Sequence, residues 1–232
     1  MRLVTLILRL TPYGILSLIA NVTATSNAKE ILSLLKFVVA SYVGLFLILI
    51  VHLIILLLKG LNPLTYLKKS LPVLSFAFTS RTSAGTIPLN VELQKDKLGV
   101  NEGIANLSAS FGASIGQNGC AGLYPAMLAV MIAPTVGVNP LSLSFIIPLV
   151  VVVSITSFGV AGVGGGATYA AIIVLSSLNL PVALVGLLIS IEPLIDMGRT
   201  AINVSGAIVS GIVTAKNTNE LDVSIYNKPF SE

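Results

Sequence analysis

This sequence is poor in charge and has no tryptophan. Only 9% of its 232 residues are charged, against about a quarter in a soluble domain, which is too few to cover a globular surface. One cysteine, Cys120, rules out a disulfide scaffold. The one histidine, His52, is far in sequence from any serine, cysteine or acid pair that would make a nucleophile and base. No metal-ligand spacing and no phosphate-cradling glycine pattern occurs, so the chain is not expected to be an enzyme or to carry a cofactor. The net charge of +4 is modest and its basic residues are scattered, which argues against a nucleic-acid partner. What remains is apolar: 55% hydrophobic residues and a mean hydropathy of +0.98. None of the 89 residues between Glu102 and Glu192 is charged, room for about four membrane segments at ~20 residues each. The partner this composition implies is the lipid bilayer.

Arg2 and Arg9 ahead of an apolar stretch imitate a secretory signal, but more membrane segments follow where a mature domain should begin. Leu10–Thr23 therefore reads as a membrane helix or the end of one, short for a full span. Ile31–Leu58 is a continuous apolar helix, with Lys36 and His52 expected at the interfaces. Gly60, Asn62 and Pro63 break it, ahead of a basic interfacial strip of Tyr66, Lys68 and Lys69.

Two further apolar pieces are short and interrupted. Leu71–Phe78 runs into Thr79–Thr86 and Pro88, and Leu141–Val153 runs into Ser154, Thr156, Ser157 and five glycines between 159 and 166. Each precedes a longer helical stretch, Gly103–Val136 and Val182–Thr214. The expected fold is an all-α polytopic membrane protein, an inverted repeat of two re-entrant helical hairpins each followed by a transmembrane helix. Irregular backbone inside a bilayer survives only where protein or a wet cavity satisfies it, and such paired breaks point to a transporter's midplane site. The expected segments are a scaffold-type helix over 1–28, a long helix and loop over 29–70, the two hairpin-plus-helix units over 71–136 and 137–216, and a cytoplasmic tail over 217–232. With this topology Arg2, Arg9, Lys59, Lys68, Lys69, Lys95, Lys97, Lys216 and Lys228 share one side, against Lys29 and Lys36, which makes the basic side cytoplasmic.

Arg81 and Arg199 are left inside the membrane sequence, where ionisable residues are costly and mark function. Asp196, Arg199 and Asn203 share one helix face with Thr200 beside them. A guanidinium, a carboxylate and an amide so arranged can hold a zwitterion, although Asp196 could instead pair with Arg199 or with Arg81. Ser83 in the first hairpin offers a hydroxyl and free backbone amides to an anionic group. Gly162–Gly166 can bend over a ligand. Gly116, Gln117, Asn118, Gly119 and Cys120 form an uncharged polar break of the kind that exposes carbonyls to a cation or substrate, with Cys120 itself readable as a small buried apolar residue.

The motifs Ser80–Pro88, Gly116–Cys120, Ser157–Val163 and Asp196–Val204, in that order, resemble the sodium:dicarboxylate (glutamate-transporter-like) symporters over residues 11–220. Asn118–Pro125 is most similar to the bacterial L-cystine uptake branch. The resemblance implies a multi-pass transporter in a bacterial plasma membrane, a homotrimer of elevators importing an amino acid with a coupling cation, Na+ or H+. It implies substrate contacts at Arg81, Ser83, Cys120, Gly162, Gly165, Asp196, Arg199, Thr200 and Asn203, and cation contacts at Gly116, Asn118 and Asn203. Three departures stand out: Cys120 replaces a substrate-contacting Thr of glutamate-type members, Asn118 and Ala207 replace cation-site Asp residues, and Gly116 replaces an Asn. These predict weaker sodium coupling, or coupling to protons through Asp196 or Glu192. The resemblance also implies that this is the C-terminal half of a longer transporter, unable to transport alone. The rivals are a glutamate or dicarboxylate symporter and a non-transporting membrane protein.

Overall fold

The computed structural model describes residues 16–17, 20, 28–160, 162, 165–189 and 191–229. The helix expected over Leu10–Thr23 falls almost wholly outside them. Among the described residues the chain is all helical, with one isolated bridge between Val100 and Leu221.

Helix α1, Ala28–Leu58, has 31 residues, about 46 Å at 1.5 Å per residue, enough to cross a bilayer. Its pattern is the reverse of a soluble helix. Val39, Val43, Phe46, Val51, Ile54 and Leu57 face outward, while Phe37, Ser41, Leu45, His52 and Leu56 are buried. Ser41 returns its hydroxyl to the Phe37 carbonyl (2.8 Å). His52, expected at the interface, is buried instead. Its ring lies 3.0 Å from the Ser205 hydroxyl and 2.9 Å from the Asn118 amide, so the neighbouring helices satisfy it.

Helix α2, Pro63–Ser80, begins eight residues before the apolar piece that marked it in sequence. The Asn62 side chain accepts from the Leu64 amide and Pro63 occupies the first turn, a start signal that outweighs the basic residues behind it. The expected interfacial strip is therefore part of this helix. Arg81 ends α2 in the left-handed region (φ 56°), and the Thr82 hydroxyl caps α3, Ser83–Glu92, by accepting from the Gly85 amide. The stretch Gly103–Val136 is not one helix. Helix α4, Glu102–Gly112, stops, residues 113–117 are unwound, a wide π-type turn covers Asn118–Leu123, and α5 continues over Tyr124–Ile132. Helix α6, Leu143–Thr156, and α7, Gly166–Ser177, flank the glycine-rich break. The last long stretch also divides, into α8, Ala183–Leu188, and α9, Glu192–Asn217, with Pro193 in the first turn of α9. A short α10, Val223–Asn227, ends the described chain.

Helix α9 is the axis of the fold. It packs against α1, α2, α3, α4 and the 118–123 turn, and most of its middle is buried. Gly112 of α4 lies against Ala207 so closely that a Cβ there would strike the Ala207 methyl group, which lets the two backbones approach as small residues do in membrane helix pairs. One apolar core joins the first half of α1 with α5, α6 and α7. The other joins the end of α1 with α2, residues 93–105 and the second half of α9.

The basic residues gather where these elements end together. Lys59 Nζ donates to Asn217 Oδ1 (2.8 Å), and Lys95 faces Glu102 (3.4 Å). Lys69 is buried, its ammonium donating to the carbonyls of Lys97, Ile225 and Tyr226 at 2.8, 2.8 and 2.7 Å. The Asp222 carboxyl, capped by the Ser224 hydroxyl and the Ile225 and Ser224 amides, is held below the usual carboxylate range. Lys69→Met keeps the apolar stem and strands three carbonyls. It should loosen residues 218–229 and cost about 3 kcal/mol. Faster proteolytic cleavage in that segment, with α9 still protected, is the expected readout.

Candidate functional site

The three interruptions meet. Gly162, in the break between α6 and α7, accepts through its carbonyl from the Ala84 amide (3.2 Å) and the Thr82 hydroxyl (3.4 Å) at the α2–α3 break. The unwound 113–117 segment joins both: Gly116 N–H donates to the Ser157 carbonyl (3.2 Å), and the buried Gln117 amide donates to the Ala113 (2.7 Å) and Val160 (3.3 Å) carbonyls. A Cβ on Gly162 would strike the Ala113 carbonyl and lie 2.9 Å from Gln117 Nε2 and 3.0 Å from Ser83 Cβ. Only glycine fits there. Backbone freed by each break is thus satisfied by another break, the condition for irregular chain at membrane depth.

Beside this junction α9 presents its charged face. Arg199 is 1% exposed, and its Nη2 donates to Asp196 Oδ1 (3.2 Å) and Glu192 Oε1 (3.1 Å). Arg81, from the α2–α3 break, reaches the other oxygen of Asp196 through Nε (3.3 Å). Glu192 Oε2 accepts from the Thr168 hydroxyl of α7 (2.8 Å). Both pairings weighed for Asp196 are therefore present at once. The Arg199 guanidinium lies 4.4 Å above the Tyr124 ring, a cation–π contact. Its Nε and Nη1 meet no acceptor among the described residues, although they are buried. A buried donor without an acceptor costs about 1–3 kcal/mol.

Asn203 organises the floor. Its Oδ1 accepts from the Gly119 amide (2.8 Å) and more weakly from that of Cys120 (3.4 Å). Its Nδ2 donates to Gln117 Oε1 (3.3 Å) and Cys120 Sγ (3.1 Å). The Cys120 thiol lies 4.0 Å from Asp196 Oδ1. Ser83 and Thr200 are buried nearby in sequence to these groups, and Gly165 starts α7 in the left-handed region (φ 89°).

Gly116 and Asn118 stand apart from the Arg199 group. With Gly112, Gly206, Ala207, Ser210 and others they line a cavity of about 470 Å³. Asn118 is wedged against Gly206, whose Cβ would lie 3.0 Å from Asn118 Oδ1. His52 holds the amide from behind, and the Ser205 hydroxyl links His52 to Tyr66 (2.7 Å).

The sequence reading did not place Glu192, Thr168, Tyr124 or Gln117 among the binding residues. Glu192 carried a usable signal, since it lies four before Asp196 and seven before Arg199 on the same helix face. Gln117 stood in the polar break of residues 116–120, but its bond to Asn203, like the places of Thr168 and Tyr124, follows only from the packing of α5, α7 and the unwound segment on α9.

A buried guanidinium and two carboxylates thus lie where the broken helices converge, and ionisable residues so enclosed in an apolar chain are candidates for function. Residues 1–217 match the profile of the sodium:dicarboxylate symporter family, and the chain belongs to that family. It is similar to the L-cystine uptake protein TcyP of Bacillus cereus, 64% identical over 228 residues, which cover 98% of this chain and 49% of the relative. It is also similar to the proteins of that name from Shouchella clausii (66% over 229 residues, 99% and 49%) and Bacillus licheniformis (65% over 226 residues, 97% and 49%). The chain spans about half the length of the curated relatives it matches.

Proposed function

We propose that this chain forms the substrate-carrying part of a secondary transporter importing an amino acid, L-cystine by preference, together with a cation. The observation that carries the reading is the charge balance around Arg199. Arg81, Arg199, Asp196 and Glu192 form one bonded cluster of two cations and two anions. In a low-dielectric site a neutral cluster accepts a ligand that is itself balanced at lower cost than a net anion. A zwitterionic amino acid can exchange partners with it, its carboxylate on Arg199 and its ammonium on Asp196, and the net charge of the site stays at zero. Cystine carries two such zwitterions; glutamate or a dicarboxylate adds net negative charge. The names of the relatives support the same substrate.

In this reading α2–α3 and α6–α7 are the re-entrant hairpins of an inverted repeat, and their contact through Gly162 closes the site. Glycine at 162 and 165 lets the second hairpin swing away. The unit moves as an elevator within a multi-pass homotrimer in the bacterial plasma membrane, with the lysine-rich end cytoplasmic. The cation takes the cavity at Gly116 and Asn118. Its lining residues are all uncharged, so neutral oxygens hold the ion and the affinity for sodium is low. A proton carried by Asp196 or Glu192 is the alternative coupling ion.

The test is binding of labelled L-cystine to the purified, detergent-solubilised chain, with L-glutamate and L-cysteine as competitors, with and without sodium. Saturable binding displaced by unlabelled cystine and untouched by glutamate is expected. Equal displacement by glutamate would replace cystine with the dicarboxylate reading. A non-transporting role predicts no saturable binding at all.

A further inference from the structure

Glu192 lies outside the substrate contacts that the sequence motifs supply, yet it is the group through which Arg199 touches the second helix pair. A carboxylate takes a guanidinium bidentately through two adjacent nitrogens, either Nη1 with Nη2 or Nη2 with Nε. Both forks use Nη2, and in this structure Nη2 is bonded to Glu192 and Asp196 while Nη1 and Nε have no acceptor among the described residues. A ligand carboxylate therefore cannot form either fork without displacing an acid from Nη2. Asp196 is held from its other oxygen by Arg81. Glu192 is held from its other oxygen only by the Thr168 hydroxyl, among the described residues, and its side chain is 12% exposed against 8% for Asp196. Glu192 is the acid that gives way more easily.

We infer that Glu192 is a resident stand-in for the substrate carboxylate: it neutralises Arg199 in the empty site and is released from Nη2 when substrate binds. Its second oxygen makes the release a signal. Thr168 is in the first turn of α7, immediately after the glycine-rich break. Moving Glu192 alters the one side-chain bond, among the described residues, between α7 and the charged face of α9, so occupancy of Arg199 is felt by the second helix pair. Glu192 acts here as a positioning residue, with no direct contact to substrate. The inference rests on Arg199 being the carboxylate ligand.

The experiment combines labelled L-cystine binding with amide hydrogen exchange over residues 166–177, on the purified chain and its Glu192→Gln, Thr168→Val and Arg199→Ala variants. Glu192→Gln keeps a bond to Thr168 but removes the competing charge. It should bind cystine about fivefold or more tighter than the parent, a typical size for a coupling between sites. In the parent, cystine should change exchange over 166–177. Thr168→Val should retain Arg199-dependent binding but lose that change. Weaker binding by Glu192→Gln, or an exchange response unaltered in Thr168→Val, would overturn the stand-in role while leaving Arg199 as the ligand. Binding that survives Arg199→Ala would remove the reading beneath it, and the inference with it.

Discussion

Arg199→Ala is expected to abolish saturable L-cystine binding and to lower the melting temperature of the detergent-solubilised chain. Two effects coincide. The side chain is nearly fully buried and neutralises Glu192 and Asp196 at once. Removing it leaves the partly buried Glu192 without a cation among the described residues and Asp196 with Arg81 alone, and breaking an enclosed pair in this way costs about 3–5 kcal/mol. It also removes the only fork on this face able to grip a carboxylate in two places. Arg199→Lys separates the two effects. An ammonium preserves the charge and can still meet either acid, so the fold should persist. It has no planar fork and lies less favourably on the Tyr124 ring, so binding should weaken about tenfold or more. Parent-like affinity in Arg199→Lys would show that charge alone, and not geometry, is recognised.

Gly119→Ala carries the second large effect, from one methyl group. Gly119 sits in the wide turn before α5, where an added Cβ would lie 2.8 Å from both the Cα and the carbonyl oxygen of Arg199. These are backbone atoms of the central helix and cannot turn aside. Either the 118–123 turn or α9 must move. The turn is also the segment whose Gly119 and Cys120 amides Asn203 holds. Overpacking of this kind costs about 1–3 kcal/mol, and the displacement falls directly on Arg199. A lower melting temperature and weaker cystine binding together are expected. Gly122→Ala, where no atom lies within 4 Å of the added Cβ, is the control that should leave stability near the parent value. A Gly119→Ala variant as stable as that control would show that the turn has slack.

Breaks are local chemistry: Asn62-Pro63, the Thr82 cap and the glycines from 159 to 166 interrupt helices wherever they occur, so the interrupted plan could be read directly. The polar residues of one helix face, Asp196, Arg199 and Asn203, follow from the 3.6-residue period alone. Boundaries were less legible. The apolar run suggested a first arm from Leu71, but the cap at Asn62 starts the helix earlier and takes Lys68 and Lys69 into it. Hydropathy placed His52 and Lys69 at interfaces, whereas both are buried, because distant segments supply their partners: Ser205 and Asn118 for one, three carbonyls from residues 97, 225 and 226 for the other.

Composition, motif order and helical period are properties of the chain, and they set the membrane class, the family and the ionisable residues on α9. How those charges are shared depends on packing. Asp196 bonds both arginines, Arg199 divides one nitrogen between two acids, and Glu192 reaches α7 through Thr168. Such pairing depends on distances between residues up to 115 positions apart. Packing of α7 and the 81–84 break around α9 sets those distances, and no local rule fixes them.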